Sequence, residues 1–86
     1  MATEEIVAAL TSVVDAIEGS VPDDRIATFR EYIWANESTL AVEEIWALIE
    51  DLEIDHEDWV LDKLKLVGEK VGVDPSWFGD LPPRAG

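Results

Sequence analysis

The residues best able to do chemistry lie in one stretch, IEDLEIDHEDWVLD, Ile49 to Asp62. It holds seven carboxylates (Glu50, Asp51, Glu53, Asp55, Glu57, Asp58 and Asp62), the chain's single histidine, His56, and no Lys or Arg. The imbalance extends further: between Arg30 and Lys63 there are eleven carboxylates and no basic side chain. Such a cluster can hold a cation, hold a basic protein, or simply keep the chain solvated. Counted from Asp51, acids fall at the first, third, fifth, seventh and twelfth positions of a calcium loop. However, the sixth position, where the loop needs Gly for its sharp turn, is His56, and the twelfth is the short Asp62 rather than a bidentate Glu. A helical pattern also begins halfway through. The expected metal and cofactor content is therefore none. His56 has no second nitrogen or thiolate partner for a metal and no positioned nucleophile. No glycine loop could cradle phosphate, and no cleft is implied that would split the pKa values of paired acids. The expectation is a protein that is not an enzyme and has no small-molecule substrate.

These residues must be carried by helices. Ile6, Leu10, Val13 and Ile17 recur at steps of four, three and four, and the helix they predict spans 3–18, with Thr3 as cap and Gly19 as stop. Ile26, Phe29 and Ile33 mark a second helix over 23–35. Ala41, Val42, Ile45, Leu48, Ile49 and Leu52 mark a third over 39–52. Val60, Leu64, Val67 and Val71 mark a fourth over 56–71, capped by Asp55 and closed by a left-handed Gly72 with Val73 as its hydrophobic contact. Gly68 beside that stripe invites a close neighbour. Asp74-Pro75 predicts a short turn over 75–79, and LPPRAG a frayed tail. The expected fold is all-α, a four-helix bundle-like domain over 1–86 with antiparallel neighbours. A chain of this size buries roughly 60–65% of its unfolded surface, enough for one modest core. With no cysteine, that core is held by packing alone.

Charge narrows the partners. The net charge is −14, from 20 acidic and 6 basic residues. Nucleic acid and anionic membrane surfaces both require Lys and Arg, so neither is expected. Glu4 and Glu5 stand where a secretory signal carries basic residues, and no apolar run is long enough for a membrane span, so the expected location is the cytoplasm. The charge favours a basic protein or a divalent cation as partner, or else marks a highly soluble chain that simply repels itself. Trp46 lies about 100° from the centre of the third helix's stripe, with Glu43 and Glu50 as neighbours, and Trp59 lies further off the fourth helix's stripe, beside Asp62. Aromatic anchors set among steering charges are a common interface pattern. The candidate partner-binding residues are thus Glu43, Trp46, Glu50, Asp51, Glu53, Asp55, Glu57, Asp58, Trp59 and Asp62. An alternative cover for Trp59 and Leu66 is the C-terminal Trp77, Phe78 and Leu81.

From Phe29 to Leu81, FREYIWANESTLAVEEIWALIEDLEIDHEDWVLDKLKLVGEKVGVDPSWFGDL resembles small immunity proteins of bacterial polymorphic toxin systems, especially the MafI-like group. The likeness lies in a helix ending near Asn36-Glu37, an LAVEEI-like amphipathic helix, an acidic linker, and a helix closing on LVGEKVGVD before a Trp. Trp46 departs from it, standing where that helix often carries smaller or polar residues. The resemblance implies a cytoplasmic inhibitor of a cognate toxin domain, often a nuclease with a basic cleft. The other reading of the charge is a structural or regulatory helical module, self-associating or salt-adapted.

Overall fold

A computed structural model describes residues 3–54 and 56–78, with only the backbone at 75 and 77. Four helices form where the apolar periodicity places them: α1 (Thr3–Ile17), α2 (Asp23–Trp34), α3 (Ser38–Leu52) and α4 (Asp58–Val71). Short 3₁₀ turns follow α1 (Glu18–Ser20) and α4 (Pro75–Phe78). Among the described residues there is no strand, and the fold is an all-α four-helix bundle. Helix ends differ from the expected ones by one or two residues. Residues 79–86, including the expected frayed tail, lie outside the described range, as does Asp55.

The stops explain the corners. At the end of α2, Asn36 adopts φ 62°, Glu37 N–H donates to the Tyr32 carbonyl at 2.8 Å, and Asn36 N–H donates to Ile33 at 3.1 Å. This is the paired-bond arrangement that satisfies the last carbonyls of a helix, with Asn in the left-handed position it tolerates better than most residues. At the end of α3 the left-handed residue is Glu53 (φ 49°), and Ile54 N–H reaches back to Ile49 at 3.2 Å. At the end of α4 it is Gly72 (φ 89°), as expected, with Val73 N–H on the Gly68 carbonyl at 2.8 Å and the Val73 side chain buried. The helix starts differ from expectation. Thr3 is the first residue of α1. The residue preceding α4 is Glu57, which makes no side-chain capping bond. Gly19 lies within the first 3₁₀ turn.

α1 packs on α2 and α4, α3 packs on α2 and α4, and α1 also reaches α3. This closed ring buries Leu10, Val13, Val14 and Ile17 of α1 against Ile26, Phe29 and Ile33 of α2, Ala41, Val42, Ile45 and Ile49 of α3, and Val60, Leu64 and Val67 of α4. Thr39 Oγ1, at the start of α3, donates to the Val71 carbonyl at the end of α4 (3.1 Å), so these two helices run antiparallel. Arg30 ties α2 to the end of α1 through Asp15 and Glu18, both at 2.8 Å. The two hydrogen-bonded carboxylates hold its guanidinium pKa above the ordinary value. Leu52, expected in the α3 stripe, is instead 54% exposed, because the chain leaves the core at Glu53.

Candidate binding face

The carboxylates of the acidic stretch are displayed by the end of α3, the connection after it, and the start of α4. Glu50, Asp51, Glu53, Glu57, Asp58 and Asp62 are exposed, and Glu43, further back on α3, is half-buried. The candidate residue Asp55 lies outside the described range. Glu53 is held at the corner by its left-handed backbone, which aims the chain into Ile54, a buried residue that pins the connection. His56 Nδ1 lies 2.7 Å from the Ile54 carbonyl. A carbonyl only accepts, so Nδ1 carries the proton there. The histidine thus closes the connection between helices.

Trp59, on the first turn of α4, is 36% exposed. Its indole Nε1–H donates to Glu57 Oε2 at 2.7 Å, and Lys63 Nζ lies 5.7 Å from the ring centroid, within cation–π range. The ring is therefore oriented in advance, with part of its surface open and the Leu52 side chain exposed at the same end of the bundle.

Trp46 does not belong to this face. It is 1% exposed. Phe78, from the 3₁₀ turn after α4, meets it edge-on with ring centroids 4.5 Å apart and planes at 69°. Lys65 Nζ lies 5.8 Å from its centroid. The covering ring enters where Gly68 leaves room: a Cβ at Gly68 would come within 2.7 Å of Phe78 Cζ. Asp74 secures the turn by accepting from Ser76 N–H at 2.9 Å, and that bond lowers its pKa. The close neighbour expected at Gly68 is thus the Phe78 ring, with Val42 of α3 beside it at ordinary contact distance (3.5 Å). Of the three residues proposed to cover Trp59 and Leu66, Phe78 packs instead on Trp46. The Trp77 side chain and Leu81 are outside the described range. Among the described residues the buried indole Nε1 of Trp46 has no hydrogen-bond partner.

One exposed aromatic was not foreseen. Trp34, the last residue of α2, is 91% exposed. Its helical phase, about 105° from the Ile26–Phe29–Ile33 stripe, carries the same signal that was read for Trp46.

Among the described residues no group of three or more side chains is placed to hold a metal. A shallow groove of about 310 Å³ between α1 and α4 is lined by Glu5, Ala8, Ala9, Lys63 and Leu66, one carboxylate and one ammonium on an apolar floor. No described helix is long and apolar enough to cross a membrane. Comparison with family models, curated proteins and solved structures returns no match.

Proposed function

We propose that this chain is a binding module for a basic protein, and that it acts as an immunity protein: an inhibitor that neutralises a cognate toxin domain with a basic active-site cleft, such as a nuclease. The observation that carries the reading is the run from Arg30 to Lys63, eleven carboxylates without one basic residue, most of them exposed around the α3–α4 connection. Trp59, oriented by Glu57 and Lys63 and partly open, is the aromatic anchor of this face. An acidic surface of this kind steers a cationic partner during encounter, whereas a desolvated aromatic sets how long the complex lasts. The resemblance of Phe29–Leu81 to MafI-like immunity proteins supplies the biological role.

The test is co-expression and binding kinetics with a basic toxin domain, sought first as the C-terminal domain of a large secreted protein encoded by the adjacent upstream gene. Charge reversal at Glu53 and Glu57 should slow association, with the effect shrinking as salt rises. Trp59→Ala should speed dissociation and weaken binding by about 2 kcal/mol or more. If combined reversals from Glu50 to Asp62 leave both affinity and protection of growth intact, the acidic surface is a solvated face and this reading fails.

A further inference from the structure

We infer that the corner formed by the end of α2 and the start of α3 is a second docking point, built around Trp34, for an arginine-bearing segment of a basic protein. The inference rests on the reading that the partner is basic, and adds to it a separate location and a residue-level chemistry.

The indole is presented without internal use. The Trp34 side chain is 91% exposed and makes no hydrogen bond or ring contact among the described residues. It is nevertheless not on a loose end. The bonds from Glu37 N–H to Tyr32 and from Asn36 N–H to Ile33 close the helix immediately after it, and the buried Ser38 starts α3 after only three intervening residues. A ring with two side-chain torsions on a fixed backbone loses little freedom when a partner covers it. Leu40, 36% exposed on the first turn of α3, adds apolar surface at the same corner.

The surroundings select a cation. The last turn of α2 has no basic residue and contains Glu31, and Glu37 follows in the connection. Along the chain the neighbouring base, Arg30, is committed to Asp15 and Glu18; the base brought to this end of α3 by packing is Lys70, on the last turn of α4 beside the Thr39–Val71 contact. Arginine fits better than lysine, because a planar guanidinium stacks on an indole and can still pair with a carboxylate in its plane. A second copy of this chain fits poorly, since it would bring another −14 of charge to an already acidic corner. Trp34 and the Glu53–Asp58 connection flank opposite ends of α3, whose 15 residues span about 22 Å. The two points are therefore separable by mutation.

The experiment is titration of the full chain with an octa-arginine peptide at physiological salt, following the four indole N–H signals by NMR, with octa-lysine as comparison. Trp34→Phe assigns its signal. The Trp34 signal should shift saturably, octa-lysine should shift it less, and Trp34→Ala should weaken octa-arginine binding roughly tenfold or more while melting unchanged. Glu31→Lys should weaken it as well. The inference is overturned if the Trp34 signal is silent while the others move, if Trp34→Ala leaves affinity unchanged, or if the native chain is a dimer that Trp34→Ala dissociates. Glu53→Lys with Glu57→Lys separates the two readings. Affinity for the toxin domain that falls with this pair but not with Trp34→Ala retains the α3–α4 face and removes the Trp34 corner.

Discussion

Replacing Gly68 with Ala tests how Trp46 is covered, because two effects of opposite sign meet at one atom. In a helix interior Ala is favoured over Gly by about 0.8–1.0 kcal/mol. Against this, the new Cβ would sit 2.7 Å from Phe78 Cζ and 2.9 Å from Cε2, well inside carbon contact distance. The Phe78 ring has little freedom to retreat, since it also packs on Trp46 at a centroid separation of 4.5 Å. Overpacking of this sort costs about 1–3 kcal/mol, so Gly68→Ala should come out near neutral to destabilising by about 2 kcal/mol. Phe78→Ala removes a ring that is only 8% exposed and should cost about 3 kcal/mol. In that background the clash is gone, and Gly68→Ala should now stabilise by about 0.5–1 kcal/mol. The sign change corresponds to a coupling of about 2 kcal/mol, well above the error of a double-mutant cycle. Urea unfolding followed by circular dichroism at 222 nm measures all four proteins, and tryptophan emission should shift to the red when Phe78 is removed and Trp46 meets water. Additive effects, with Gly68→Ala stabilising by the same amount in both backgrounds, would refute the placement of Phe78 in the glycine notch.

Four further outcomes are expected. Leu64 is fully buried at the centre of α4, and Leu64→Ala should cost about 2–5 kcal/mol in the same unfolding assay. Glu53 holds φ 49° with a side chain that disfavours it, so Glu53→Gly should stabilise by about 1 kcal/mol in thermal melts, helped by removal of one charge from the acidic run. Raising ionic strength from low to physiological should raise the melting temperature by screening the −14 charge, and calcium should do no more than its ionic strength predicts; a saturable micromolar effect of calcium would contradict this. The Asp74 carboxylate has a lowered pKa in the folded chain because it accepts from Ser76, so its support of the 3₁₀ turn is complete above the unfolded value of 3.8 and is lost as pH falls through the folded value. Acid titration of Trp46 emission should show the turn loosening below about pH 4, and Asp74→Ala should remove that pH dependence.

What the sequence determined by itself was the set of helices and most of the surface each one buries. Ile26, Phe29 and Ile33, or Val60, Leu64 and Val67, recur at intervals that only a helix brings to one side, and Gly72 followed by Val73 announces its own left-handed stop. The stops at Asn36 and Glu53 were harder to read, because neither residue requires the left-handed conformation; each adopts it where the chain must turn toward a buried Ser38 or Ile54. The carboxylate run was equally plain, since charge depends on composition and not on packing. Which aromatics meet solvent was decided by tertiary structure. Trp34 and Trp46 sit at nearly the same angle from their helices' core stripes, yet one is 91% exposed and the other 1%. Periodicity reports a side chain's direction about its own helix axis and nothing about what stands opposite. Across from Trp46 the chain brings back Phe78, admitted by the missing side chain of Gly68 and held by Asp74 and Val73. Trp34 meets no such returning segment among the described residues, and its ring stays in water.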